Sequence, residues 1–235
     1  MTKTHLPTHG VIPMLILTAL GLSCDRPAHA ADLPLPKTDL PTTLPSDKTP
    51  RTAVLAGGCF WCTEVSFKQL AGVKAVVSGY AGGTKETADY ETVCTGTTGH
   101  AEAIKITYDP SKITYGQLLR VFFTIHDPTT KDAQGPDHGH QYRSAIFYQS
   151  PDEKRVAEAY IQQLNESHAF AKPIVTTLEP YTGFYPAEAY HQDYVTHHPD
   201  NPYIQQFALP KLRKVREKFK DQVKPESNPG SSREQ

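Results

Sequence analysis

The sequence predicts an α/β (α+β) fold, a two-layer sandwich around a mixed sheet with a ferredoxin-like core and long loops. Short apolar runs rich in β-branched residues alternate along the chain with stretches whose apolar residues recur at helical spacing. This alternation is typical of strands and helices that share one mixed domain. At 235 residues the chain is long enough for one sizeable domain plus tails. Its formal net charge of −1 does not indicate a nucleic-acid partner.

Residues 1–30 are predicted to form a targeting segment. An apolar run over residues 11–22 is too short to span a bilayer as a helix. Two processing routes fit the residues after it. One is cleavage after Ala30, in an A-x-A signal. The other is a lipoprotein signal that would make Cys24 a lipid anchor. Either route predicts an exported protein, periplasmic or otherwise extracytoplasmic, in a soluble or a membrane-anchored form.

The rest of the chain divides by composition. Residues 31–50 are rich in Pro, Thr and Asp and have too little apolar surface to offset the entropy of ordering, so they are predicted to form a linker. Residues 51–220 form the folded domain, and residues 221–235 form a polar, disordered tail.

Within the domain the elements follow from periodicity and turn residues. In chain order, we expect a strand at 52–56, a helix at 62–70, strands at 73–80, 90–94 and 101–108, a helix at 115–125, a polar loop at 127–140, a strand at 141–148, a helix at 150–166, a strand at 174–179, and helices at 187–196 and 210–219. The 150–166 helix has the plainest start, because Ser150 and Glu153 form a capping box with Pro151 at the first helical position.

The stretch Gly57-Gly58-Cys59-Phe60-Trp61-Cys62 lies where the first strand turns into the first helix. A thiol at a helix N-terminus faces unpaired N–H groups and the positive end of the dipole, which favours the thiolate. Phe60 and Trp61 add two large apolar rings beside the sulfur of Cys59. The alternative is a core turn with two buried, inert cysteines.

Glu102 falls in register with Ile104 and Ile106 on the predicted core face of the 101–108 strand. Burial would raise the pKa of this carboxyl and let it remain a protonated donor. Alternation alone leaves open a second reading, in which Glu102 lies past the strand edge and is solvated.

Polar residues cluster in the 127–140 loop and after it. Asp137 and Tyr142 bracket a segment rich in glycine and histidine, and a tyrosine can hold a polar ligand oxygen while its ring forms an apolar wall. Several histidines could suggest a metal site, but most of them are expected in loops or at the surface: His100, His138, His140, His191, His197 and His198.

Over residues 53–203 the chain resembles the type A peptide methionine sulfoxide reductases, because six motifs occur in order at compatible spacing. They are Gly58-Cys59-Phe60-Trp61; Tyr90-Glu91-Thr92-Val93-Cys94; Thr98-Gly99-His100-Ala101-Glu102; Tyr108-Asp109-Pro110; Asp137-His138-Gly139 with Gln141-Tyr142-Arg143-Ser144; and Phe184-Tyr185 with Ala189-Tyr190-His191-Gln192.

The resemblance implies that residues 51–220 are catalytic and reduce methionine S-sulfoxide, free or protein-bound, as a monomer without metal or organic cofactor. It makes Cys59 the nucleophile and Glu102 the acid. It implies that Tyr90, Tyr142 and Asp137 hold the sulfoxide oxygen and a water. Phe60 and Trp61 would then cage the substrate methyl group.

The chain departs from many family members because it has no cysteine after Cys94. Cys62, three residues after Cys59, is therefore predicted to resolve the Cys59 sulfenic acid. The resulting Cys59–Cys62 disulfide is expected at the mouth of the site, where a thioredoxin-like protein would reduce it. Cys94 is expected to be a small core residue of a strand.

Two other functions compete with this reading. A general thiol–disulfide oxidoreductase would use the Cys59-x-x-Cys62 pair. An exported metal-binding module would use Cys59, Cys62 and the loop histidines.

Overall fold

The computed structural model describes residue 1, residues 32–41 and residues 49–225. The predicted signal segment beyond Met1, with Cys24, lies outside the described residues. The strands are β1 Arg51–Gly57, β2 Val73–Ala81, β3 Ala101–Tyr108, β4 Ala133–Gln134, β5 Asp137–His138, β6 Ser144–Tyr148, β7 Thr177–Pro180 and β8 Phe184–Pro186. The α-helices are α1 Phe60–Lys68, α2 Tyr90–Cys94, α3 Tyr115–Ile125, α4 Pro151–Glu166, α5 Tyr194–His197 and α6 Leu209–Lys218. No helix among the described residues is both long and apolar enough to span a membrane.

The main sheet has six strands in the order β7-β6-β1-β3-β2-β8. Its four central strands pair antiparallel, whereas β6 and β7 run parallel, so the sheet is mixed. The succession β1-α1-β2-β3-α3-β6 with the spatial order β6-β1-β3-β2 is the ferredoxin-like arrangement. The predicted fold class is therefore confirmed.

The two faces of the sheet differ in side-chain size. On the face covered by helices, Leu55 pairs with Ile104 in the register of β1 and β3 and packs in the main core. The opposite face carries Val54, Ala103 and several other alanines. Glu102 lies two residues before Ile104 in the helix-covered row, so the alternation of β3 directs its carboxyl into the protein.

The polar loop predicted at 127–140 contains the short paired strands β4 and β5, and two predicted elements differ in type from the observed ones. The strand predicted at 90–94 is wrong, because the Asp89 carboxylate accepts the Thr92 N–H and caps a short helix, α2. The helix predicted at 187–196 is instead a 3-10 turn at Ala189–His191 followed, after a break, by the start of α5. It cannot run on because the Gln192 side chain bonds the backbone of Ser78 in β2, and Asp193 adopts a left-handed conformation with φ 54°.

Residues 32–41 lie against the domain, so the predicted linker is wrong for this part. Leu33 is buried in the main core. Asp39 accepts hydrogen bonds from the Thr114 hydroxyl at 2.5 Å and the Gly116 N–H at 2.9 Å, at the start of α3. Two leucines, Leu33 and Leu40, and several polar contacts hold the segment, which a composition argument does not detect.

The predicted tail is also folded at its beginning. Val223 pairs with Leu70, and the Lys224 N–H donates to the Gln69 carbonyl. Residues 226–235 lie outside the described residues, so disorder there stays a prediction.

Candidate active site

The turn from β1 to α1 holds the thiol against a distant loop. Gly58 has φ +81°, and a Cβ at this position would lie 2.5 Å from Cβ of Gln134. The Gln134 side chain in turn bonds both the N–H and the carbonyl of Asp127. Only glycine allows this approach, which brings the loop carrying Asp137 next to Cys59.

A cavity of about 280 Å³ opens at this turn. It is lined by eight residues: Cys59, Phe60, Trp61, Tyr90, Glu102, Asp137, Tyr142 and Tyr203. The structure thus brings together every site residue expected from the sequence except Cys62, and it adds Tyr203.

Glu102 is buried beside the thiol, with 2% of its surface exposed. Its Oε2 accepts the Phe60 N–H at 3.0 Å. Burial raises the pKa of the carboxyl to about 8, although the Phe60 N–H acts in the opposite direction. The carboxyl is therefore mostly protonated at neutral pH, and the reading of a solvated Glu102 is wrong.

The structure does not favour the thiolate that was expected at Cys59. Cys59 caps α1 without a side-chain hydrogen bond, and the first N–H of the helix goes to Glu102 instead of the sulfur. Burial raises the pKa of the Cys59 thiol well above its usual value, whereas the hydrogen bond from Cys59 lowers the pKa of Cys62. In the free site, Cys59 therefore holds its proton more tightly than Cys62 does.

Cys62 lies behind the cavity and not at its mouth. Its side chain is 0% exposed and packs against Val195, Ile204 and Ala208. A step of three residues along α1 turns it toward the chain segment at 194–209, which folds back over the helix. The expectation that a Cys59–Cys62 disulfide would be exposed at the mouth of the site is therefore wrong, because Cys62 is buried.

Cys94 is also placed differently from the expectation of a core strand. It ends α2 and is only partly buried. Its thiol lies within hydrogen-bonding reach of the Tyr90 hydroxyl.

The tyrosines of the cavity keep their hydroxyl protons. Burial raises the pKa of Tyr90 and that of Tyr142 above the usual value, so both can donate hydrogen bonds at neutral pH. Tyr203 donates to Asp137 Oδ2 at 2.5 Å and lies within hydrogen-bonding reach of both cysteine sulfurs. Tyr203 was missed because one tyrosine among twelve is weak evidence, and only the return of the 194–209 segment brings it to the site.

A buried arginine ties the loop of the site to the sheet. Arg143 is 5% exposed and forms an ion pair with Glu179, with Nε 2.9 Å from Oε1. It also donates to the carbonyls of His140 and Gly99. These bonds hold the turn before Tyr142 against the start of β3, which carries Glu102.

Two of the histidines expected in loops or at the surface are buried. His100 is 0% exposed and His191 is 1% exposed. Across the residues at 32–41 and 49–225, no three His, Cys, Asp or Glu side chains are grouped as metal ligands. The metal-binding alternative is therefore not favoured. The thiol–disulfide alternative does not explain why Glu102 and three tyrosines line a cavity that contains Cys59 but not Cys62.

Comparison with known proteins agrees with this geometry. A family model described as peptide methionine sulfoxide reductase matches residues 51–223. The chain belongs to the peptide methionine sulfoxide reductase family. It is 56% identical over 173 residues to the reductase MsrA of Thermus thermophilus, covering 74% of this chain and 97% of that one. It is 48% identical over 196 residues to MsrA 2 of Synechocystis, covering 83% of this chain and 92% of that one.

Solved structures of the reductase family share the fold. The reduced form of Mxr1 from Saccharomyces cerevisiae has a TM-score of 0.59 at 34% identity, covering 66% of this chain and 90% of that one. Methionine sulfoxide reductase A of Corynebacterium diphtheriae has a TM-score of 0.57 at 32% identity, covering 67% of this chain and 79% of that one.

Proposed function

We propose that this reductase converts methionine S-sulfoxide, free or in oxidised proteins and peptides, to methionine, with Cys59 as nucleophile and Glu102 as acid. One observation carries the proposal: a thiol and a buried, protonated carboxyl face the same small cavity, and aromatic rings form much of its wall.

The chemistry follows from these groups. A sulfoxide sulfur becomes electrophilic when its oxygen is protonated, and Glu102 can supply that proton. Tyr90 and Tyr142 donate hydrogen bonds to the same oxygen, while Asp137 holds a water, and Phe60 and Trp61 enclose the methyl group. Cys59 then attacks the sulfur and forms an S–S bond, and its thiol proton passes to the carboxylate that Glu102 has become. The protonated oxygen moves from the substrate sulfur to Sγ of Cys59 as that S–S bond breaks, so the thioether leaves as methionine and Cys59 becomes a sulfenic acid.

Cys62 is proposed to resolve the sulfenic acid. Its thiol condenses with Cys59–SOH, water leaves, and a Cys59–Cys62 disulfide forms, which a thioredoxin-like dithiol then reduces. The protein itself supplies no cofactor to this cycle. Because Val195, Ile204 and Ala208 cover Cys62, a donor that attacks this sulfur needs the covering segment to move.

Replacing Cys62 by serine is expected to leave the first turnover intact and to abolish turnover supported by thioredoxin. The serine cannot form a disulfide, so Cys59 stays oxidised. Methionine released per enzyme is measured without reductant and then with thioredoxin, its reductase and NADPH. Cys94→Ser is the matched control and should recycle normally. Undiminished recycling in Cys62→Ser, or a mapped Cys59–Cys94 bond, would contradict this assignment.

The reaction itself is tested with the two epimers of a blocked methionine sulfoxide and dithiothreitol as reductant. We expect methionine from the S epimer and none from the R epimer. A model disulfide in a parallel assay represents the thiol–disulfide alternative. Faster reduction of that disulfide than of the sulfoxide would favour the alternative.

The protein is proposed to act outside the cytoplasm, on the strength of residues 1–30. Mass spectrometry of the protein from its native cells tests this proposal. An N-terminus at Ala31 supports the soluble exported form, and a lipid-modified Cys24 supports the anchored form. An intact chain in the cytoplasm would refute export.

A further inference from the structure

His191 lies directly behind the cavity and is held there by the edge of the sheet. It ends the 3-10 turn Ala189–His191. The next residue, Gln192, accepts the Ser78 N–H at 3.0 Å and donates to the Ser78 carbonyl at 2.9 Å. These two bonds to β2 fix the position of the imidazole.

The imidazole contacts three residues that line the cavity. Its ring centroid lies 5.0 Å from that of Phe60, 5.7 Å from that of Trp61 and 4.5 Å from that of Tyr90. His191 does not line the cavity itself. Any effect of His191 on substrate therefore passes through these neighbours.

One directed bond joins His191 to the wall of the cavity. The indole Nε1–H of Trp61 donates to Nδ1 of His191 at 3.2 Å. The ring can accept only while Nδ1 is unprotonated, and burial lowers the pKa of His191, which keeps the ring neutral. Its proton then lies on Nε2, which has no hydrogen-bond partner in the described part of the chain and is 3.9 Å from Glu188 Oε2.

A second contact fixes the plane of the indole but not its direction. Trp61 stacks on Tyr194 with centroids 3.8 Å apart and an interplanar angle of 7°. A half-turn about the Cβ–Cγ bond would keep that plane and exchange the edges of the indole, because this torsion is broad and roughly two-fold. The bond to His191 is lost in the turned orientation.

We propose that His191 is a positioning residue that selects the indole orientation of Trp61 and so shapes the pocket for the substrate methyl group. The proposal rests on the function proposed above, because that function gives the cavity its ligand. A wall that is equally favourable to substrate and transition state acts on KM and not on kcat.

His191→Phe keeps the ring volume and removes the acceptor. We expect KM for the S-sulfoxide to rise about tenfold and kcat to change less than about twofold, as for the loss of one hydrogen bond. His191→Asn returns an acceptor close to the position of Nδ1 and should restore most of the loss. His197→Phe makes the same change at an exposed histidine of α5 and should have no effect.

The bond can also be observed without any substrate. Trp61 is the only tryptophan, so the protein shows a single indole N–H resonance. We expect this resonance to move and its proton to exchange faster in His191→Phe, and to stay near its original position in His191→Asn. This readout reports on the bond even if the protein proves inactive on sulfoxides, so failure of the two proposals can be told apart.

A double-mutant cycle completes the test. In a Trp61→Phe background, His191→Phe should not raise KM further, because the indole through which it acts is gone. An unchanged indole resonance in His191→Phe would overturn the proposal. So would a full KM increase in the Trp61→Phe background.

Discussion

Replacing Cys59 by serine is expected to reduce methionine sulfoxide reduction below detection while the domain stays folded. Serine keeps the shape of the turn, and no side-chain hydrogen bond of Cys59 caps α1. The hydroxyl is a far weaker nucleophile toward sulfur and cannot form the sulfenic acid. Methionine release in a single turnover measures the loss, and circular dichroism and thermal unfolding check the fold.

Cys94→Ser is the control for thiol removal in general, because Cys94 does not line the cavity. It should retain the wild-type rate. Methionine formation at that rate by a folded Cys59→Ser protein would contradict the assignment of the nucleophile.

Glu102→Gln is expected to slow the chemical step by about a hundredfold or more, with the fold intact. Glutamine keeps the shape and can still accept the Phe60 N–H through its amide oxygen, but it has no proton to transfer. The rate of the first turnover is the quantity to measure, because it excludes the recycling steps. An unchanged rate would exclude Glu102 as the acid.

The pH dependence of the chemical rate, compared between the wild type and Glu102→Gln, is a second test of Glu102. Burial raises the pKa of Glu102 to about 8, so the acid is protonated below this pH and loses its proton above it. The wild-type chemical rate should therefore lose the contribution of the acid as the pH rises through about 8. The small remaining rate of Glu102→Gln should not show that fall.

Local signals pointed to Cys59 and Glu102 as the centre of the site but left the burial of Glu102 open, and the family resemblance gave the two residues their roles. The glycine turn before Cys59 and the alternation around Glu102 each depend on a few neighbouring residues. The structure places both side chains in one cavity. The ferredoxin-like order likewise follows from which runs are strands and which are helices.

Long-range contacts account for the rest. The surroundings of Cys62 and Tyr203 are set by the segment at 194–209, whose path over α1 no local pattern encodes. The packed segment at 32–41 depends on Leu33 and Asp39 finding partners on α3 and in the core. At 90–94 the β-branched residues favour a strand. A helix forms instead, because the hydrogen bond accepted by the Asp89 cap stabilises the first turn of α2.

The central claim is that Cys59 takes the oxygen from the sulfoxide. It is tested most directly by mixing the reduced Cys62→Ser protein with one equivalent of methionine S-sulfoxide and no reductant. A reagent specific for sulfenic acids is then added, and the labelled peptides are mapped by mass spectrometry. We predict one methionine per enzyme and the label on Cys59 alone. Methionine without a label on Cys59, or a label confined to Cys94, would contradict the claim.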